Sequence, residues 1–361
     1  MSLSIMPSRL FRRAVLPRLW LALAAVLVVC GVLGLTTGAA WAEEVRPRPA
    51  PASYFMGQLK HSVQTLNNCG PSSVVAAMSW YGVNVSQEQA RSVLRPYSEN
   101  RGMSHTVIAP YVAQYGLEAR ARVNGNPEII KGLVANNIPV IVLQWISESR
   151  RIGHFRVVQG YDDRQGVFYV DDSLLGPNVA IPYDSFERRW NYQWTRYIPV
   201  YRPNQAALVA AILGPDWTDQ GMYERAIPEL REAIHTDISD WTSWNRLVEA
   251  YTGAEQYQAA LDALDGYTAL RGFGFSFSGS QSATRIKLLN KLGRYDEALA
   301  AAQKALDRSY SGAYGNGSLR LQLAEALRGL GRTEEARAAY QAAMNEDGAM
   351  SEAAARLATL E

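Results

Sequence analysis

Residues 153–173 read GHFRVVQGYDDRQGVFYVDDS. Two runs rich in valine, phenylalanine and tyrosine, at 153–163 and 166–173, flank a short polar turn, the pattern of a β-hairpin. Upstream, IPVIVLQWI (138–146) reads as a buried strand, and downstream TRYIPVYR (195–202) adds another. The residues before 138 carry helix signals instead. CGPSSVVAAMSWY (69–81) predicts a helix opening at Cys69, with Pro71 tolerated in its first turn. Ser86 and Gln89 form a capping box for a helix over roughly 87–96. Ser104 caps another, reaching about Tyr115, and Asn126-Pro127 opens a third, EIIKGLVANN. Helices followed by an antiparallel sheet define an α+β domain, expected over 56–202.

Near residue 203 the composition shifts to alanine, leucine and glutamate at helical spacing. The segments around Ala226, Ala260, Ala298 and Ala336 align at offsets of 34, 38 and 38 residues. Apolar or small residues recur downstream at Leu230/Ala233, Leu264/Tyr267, Ala302/Ala305 and Tyr340/Ala343. An amphipathic segment precedes each, carrying Trp244, Leu247 and Tyr251 in the second. The pattern resembles the tetratricopeptide repeat, a helical hairpin whose small alanines let its two helices pack closely. The resemblance implies an all-α solenoid of about four repeats over 203–361. Its concave groove would take a protein partner. Pro215 is expected to kink or cap the first repeat, and RGFGFSFSGS (271–280) lengthens the link into the third.

The chain has 361 residues, 48% of them hydrophobic, enough for two domains. A net charge of +2 excludes a strongly basic nucleic-acid binder. Arg9, Arg12, Arg13 and Arg18 lie in the first 42 residues, which hold no acidic residue, so the rest of the chain is nearly neutral. An apolar run follows them, Leu19 to Leu35, and then Ala40 and Ala42 at cleavage-site spacing. Together these predict a signal peptide over 1–42 and an exported, periplasmic or secreted protein. The alternative is an uncleaved anchor in the membrane. The proline-rich stretch 43–55 is expected to be a linker.

Export leaves one cysteine, Cys69, in an oxidising compartment without an internal partner. Its place at a helix N-terminus favours a thiolate. Gln64, five residues upstream, is placed to donate a side-chain N–H to an oxyanion. His154 opens a strand after Gly153, where it is placed to take the thiol proton. Asp171 and Asp172 end the next strand, where one carboxylate would orient the imidazole. Adjacent strand residues point to opposite faces, so only one of the two serves.

Gln64-x4-Cys69-Gly70-Pro71, Gly153-His154-Phe155, Val157-Val158, Gly160-Tyr161-Asp162 and Val170-Asp171-Asp172 together resemble cysteine peptidase family 39, the papain-like, bacteriocin-processing type. The likeness is closer to its free-standing branch than to the domain fused to transporters, since the sequence carries no ATP-binding motif. By that resemblance Cys69 is nucleophile, His154 general base and acid, Asp172 the orienting acid and Gln64 the oxyanion donor. Two departures stand out. The family usually has proline after its acid, where this chain has Ser173, and Gln64 sits closer to the cysteine than the family's glutamine.

Among the other histidines, His61 is expected in a surface loop, His105 is the rival base, and His235 falls in the repeats. No metal-ligand spacing or cofactor motif is present. The expectation is an exported thiol peptidase acting on a peptide or protein substrate. The alternatives are a non-catalytic peptide-binding scaffold and a thiol acyltransferase or amidase. No nucleic-acid partner is expected, and a membrane only if the apolar segment stays uncleaved.

Overall fold

The β-rich run at 138–146 becomes the middle of a sheet. The computed structural model describes residues 45–96, 102–271, 279–308, 316–345 and 350–360. The expected signal peptide, 1–42, therefore lies outside the described residues. Met1–Arg46 and Pro47–Glu361 are distinct units, and every element named below belongs to the second. No helix among the described residues is long and apolar enough to cross a membrane.

The chain runs β1 (Ser53–Phe55), α1 (Cys69–Ser79), α2 (Gln87–Leu94), α3 (Ile108–Ala113), β2 (Glu118–Ala119), α4 (Pro127–Ala135), β3 (Val140–Trp145), β4 (Gly153–Asp162), β5 (Val167–Asp172), β6 (Gly176–Pro182), α5 (Tyr183–Trp190) and β7 (Tyr197–Tyr201). The strands are ordered β2-β7-β3-β4-β5-β6, with β1 added on β4, and every pairing is antiparallel. The domain is α+β, and the local signals act as read. Ser86 and Gln89 cap α2 reciprocally. The Asn126 side chain accepts the Ile129 N–H at 2.9 Å, with Pro127 in the first turn of α4.

Both sheet faces are covered. Phe155, Val157 and Ile141 pack with Val74, Val75 and Met78 of α1. Val140, Val142, Val158 and Phe168 pack with Ile130 and Leu133 of α4 and with Phe186 and Trp190 of α5. Continuous apolar strands follow from burial on both sides.

Two features depart from the sequence reading. The strand β6 and the helix α5 were not expected, because Gly176-Pro177-Asn178 punctuates like a turn. β6 is the edge of the sheet, where proline removes no ladder hydrogen bond that the sheet needs. The expected linker 43–55 ends inside the sheet, since Ser53–Phe55 pairs with Asp162–Gly160. Gly160 makes this possible: a Cβ there would lie 2.6 Å from Phe55 Cδ2 and 2.9 Å from the Tyr54 carbonyl oxygen.

Beyond β7 the described chain is helical: α6 (Ala206–Leu213), α7 (Asp219–Thr236), α8 (Trp241–Gly253), α9 (Tyr257–Arg271), α10 (Gly279–Lys291), α11 (Tyr295–Asp307), α12 (Asn316–Gly329), α13 (Thr333–Met344) and α14 (Met350–Ala358). The aligned alanines 226, 260, 298 and 336 are fully buried. One packing device appears twice. Tyr223 of α7 lies over Gly253 at the end of α8, and Tyr295 of α11 lies over Gly329 at the end of α12, with no room for a Cβ at either glycine. Pro215 does not kink a helix; it sits in a 3-10 turn, Gly214–Trp217, between α6 and α7. Pro228 instead falls inside α7. Most of the long link at 271–280 lies outside the described residues.

The repeats are joined to the sheet domain. Arg225 of α7 donates to both oxygens of buried Asp216 and to the Asn124 carbonyl oxygen. Trp194 and Tyr223 meet as a tilted aromatic pair, with ring centroids 6.0 Å apart.

Candidate active site

Cys69 is the first residue of α1. Asn67 adopts a left-handed conformation (φ 58°) and turns the chain just before the helix, a role that suits asparagine. Asn68 is buried and its Oδ1 accepts from Arg95 Nε at 3.0 Å, which fixes the helix start. In the first turn of α1 Pro71 has no N–H, the Ser72 N–H donates to the Asn68 carbonyl oxygen at 3.0 Å, and the Gly70 N–H acts on the thiol.

Cys69 and His154 act on each other's titration. Burial pushes the Cys69 thiol up. The His154 hydrogen bond, its charge and the backbone N–H groups of Phe155 and Gly70 outweigh that, and the net shift is downward. His154 is pulled down by burial and by the charge of Arg156, yet its bonds to Asp172 and Cys69 leave it above the ordinary imidazole value. Opposite shifts in the two groups favour a thiolate–imidazolium pair.

His154 Nε2 donates to Asp172 Oδ1 at 2.9 Å. A carboxylate only accepts, so Nε2 carries a proton and Nδ1 is the nitrogen left for the sulfur. Asp172 is fully buried and also accepts the Leu174 N–H at 2.8 Å and Arg156 Nε at 2.7 Å. Burial raises its carboxyl, but these donors hold it well below the usual carboxylate range.

Asp171, the rival acid, is turned elsewhere. Its Oδ2 lies 2.8 Å from Nδ1 of His61. His61 is therefore in a loop, as expected, but pinned to the sheet. Burial raises the Asp171 carboxyl against the opposing pull of His61. His105 sits in a 3-10 turn, His105–Val107, capped by Ser104. Burial and the charge of Arg196 bring it down to about 4. His235 lines a cleft of about 910 Å³ among the repeats, with Trp244 and Tyr251.

Gln64 is held to the loop after β5. Its N–H donates to the Ser173 carbonyl oxygen at 3.0 Å, and the Ser173 hydroxyl donates to its Oε1 at 2.7 Å. The amide oxygen is thereby engaged, which leaves Nε2 as the donor end. The sequence noted Ser173 only as a departure from the family pattern. Arg156 escaped the sequence reading altogether. An arginine inside HFRVV gives no local sign of burial, and only its spacing of two from His154 on one strand places both on one face.

Among the described residues no group of three or more His, Cys, Asp or Glu side chains comes together to hold a metal ion.

In this α+β domain Cys69 opens helix α1, and His154 on strand β4 acts on its thiol. Residues 54–197 match the Peptidase_C39 like family, and residues 284–357 match a tetratricopeptide repeat family. The chain thus carries a peptidase C39-like domain followed by tetratricopeptide repeats. No curated protein matches it. Among solved structures it is similar to the "MamA RS-1 ArsTM double mutant", at 20% identity over 39% of this chain and 75% of that one, with a TM-score of 0.32. It is also similar to YrrB, "a TPR protein with an unusual peptide-binding site", at 24% identity over 42% of this chain and 69% of that one, with a TM-score of 0.29.

Proposed function

We propose that this protein is an exported cysteine peptidase whose repeats recruit a substrate or partner. One observation carries the reading: Nε2 of His154 is held by buried Asp172 at 2.9 Å, while His154 draws the Cys69 thiol downward. A nucleophile, a base and a group that orients the base are the parts an acyl transfer needs.

The Cys69 thiolate attacks the carbonyl carbon of the scissile amide, and the C–S bond forms as the C=O electron pair moves to oxygen. Gln64 Nε2 and a free N–H at the start of α1 stabilise that oxygen. His154 Nδ1–H gives its proton to the leaving nitrogen, the C–N bond breaks and a thioester remains. Water then attacks the thioester, losing a proton to His154, and the C–S bond breaks to return the thiolate. The repeats support recruitment through the cleft beside Trp244 and Tyr251, whose mixed apolar and charged lining, with Arg231 and Asp262, suits a protein segment.

The test has two arms. Alkylation of Cys69 by iodoacetamide is followed against pH in the wild type and in His154→Ala. New amino termini are then mapped after incubation with a protein mixture, beside Cys69→Ala. A thiol titrating below about 8.5, with that shift lost in His154→Ala and new termini only with intact Cys69, supports the peptidase. An activated thiol without new termini overturns hydrolysis of peptides, and an ordinary thiol overturns the enzyme. Export is tested separately, by the amino-terminal residue of the protein recovered from outside the cytoplasm.

A further inference from the structure

We infer that Arg156 is a positioning residue of this site: it neutralises Asp172 and fixes it, so that the imidazolium of His154 has the Cys69 thiolate as its counter-ion. The inference rests on the peptidase reading and concerns how the same site is charged.

Arg156 is fully buried. Its Nε donates to Asp172 Oδ2 at 2.7 Å, one Nη donates to Gln144 Oε1 at 3.1 Å and to the Trp145 carbonyl oxygen at 3.0 Å, and the other Nη donates to the Ile146 carbonyl oxygen at 2.7 Å. Gln144 is itself buried and donates to the Phe186 carbonyl oxygen at 2.9 Å. Of these acceptors only Asp172 is charged. The other contacts tie the guanidinium to β3 and, through Gln144, to α5, so it is held in place independently of the acid. The register explains the meeting. His154 pairs with Gln144 and Arg156 with Val142, which sets Gln144, His154 and Arg156 on one face of β3 and β4. Asp171 pairs with Val157, so Asp172 falls on the face of Arg156.

The charge count gives the arrangement its purpose. Asp172, the imidazolium and the thiolate alone would leave one uncompensated negative charge in a region poor in water, which disfavours the thiolate. Arg156 supplies the missing positive charge, and the four groups balance in two pairs. Arg189 of α5 is the further charge acting on Arg156. A buried ion pair by itself is a weak source of stability, so packing alone is a poor reason for an arginine here.

The experiment follows alkylation of Cys69 in the full chain by iodoacetamide against pH, read on the Cys69 peptide by mass spectrometry. In Arg156→Met both limbs of the profile are expected to move to higher pH by about one unit, a tenfold loss of rate on the acid side. Arg156→Lys keeps the charge and is expected to keep the limbs while lowering the rate between them. A filler would lower the rate at every pH or unfold the protein, without moving the limbs. If Arg156→Met does not fold, the neutral pair Asp172→Asn with Arg156→Gln decides. It is expected to recover at least tenfold of the rate lost in Asp172→Asn alone, and no recovery overturns the inference. A depressed wild-type limb that stays put in Arg156→Met overturns it while leaving the peptidase reading intact. A wild-type thiol of ordinary reactivity overturns both.

Discussion

His154 Nε2 and Asp172 Oδ1 stand 2.9 Å apart with both side chains essentially inaccessible to water, while Asp171, one residue earlier, pairs with His61 on the other face of β5. Adjacent carboxylates thus serve different histidines. Asp172→Asn is expected to lower kcat at least 10³-fold, because an amide stabilises the imidazolium far less and accepts no second strong donor from Arg156. Asp171→Asn is expected to leave kcat within about threefold while loosening the loop that carries Gln64, at a cost of about 1 kcal/mol in unfolding free energy. Steady-state rates and denaturant melts on both variants check this, and equal losses in kcat would refute the division of labour.

Much of that site was legible in the chain. A cysteine at a helix start, a glycine-histidine strand start and two aspartates at a strand end are rare enough to be read together. The alternation of strand side chains limited the acid to one of two. The partner of Asp171 was not legible, because His61 and Asp171 are 110 residues apart and a loop-to-sheet contact leaves no periodic trace. Arg156 was missed for a related reason: a polar residue in an apolar strand is read as a departure from burial, and its compensation comes from three other segments. The repeats were legible through Ala226, Ala260, Ala298 and Ala336, since close helix packing demands a small side chain at each turn of the pattern. β6 was not, because an edge strand tolerates the glycine and proline that otherwise end strands.

The pH dependence follows from three shifts. The thiol is lowered and the imidazole raised, so alkylation and turnover are expected to rise through the lowered thiol value and to fall through the raised imidazolium value. Stability follows the same groups. The raised His154 contributes stability that is complete below about 6.5 and lost as pH rises through its folded value. The depressed Asp172 contributes stability that is present above about 3.9 and lost as pH falls through its folded value. Urea midpoints from acid to mildly alkaline pH test this. In His154→Ala the loss on the alkaline side is expected to disappear.

Gln64 tests the oxyanion assignment apart from the thiolate. Gln64→Ala is expected to lower kcat about 10²-fold, the usual effect of removing one such donor. The rate and pH profile of Cys69 alkylation are expected to stay near wild type, since that reaction builds no oxyanion. A fall in alkylation equal to the fall in kcat would mean that Gln64 supports the cysteine loop instead.

The join between sheet and repeats rests on one buried acid. Asp216 is 1% exposed and accepts from Arg225 at 2.6 and 2.7 Å, with the Tyr197 hydroxyl 3.4 Å away. Tyr197 belongs to β7 and Arg225 to α7, so the acid binds the last strand to the first long helix of the repeats. Arg225→Leu removes its only charged partner among these contacts and leaves a buried carboxylate with a weak hydroxyl donor. Half of such a pair is worth about 3 kcal/mol. Arg225 is itself partly exposed, so water replaces some of the loss and about 2 kcal/mol is expected from denaturant melts. Asp216→Asn together with Arg225→Leu removes the stranded charge and is expected to recover at least half of it. If the single variant melts as the wild type does, the junction is held by the packing of Trp194, Tyr223 and Met222 rather than by the ion pair, and the double variant would then gain nothing.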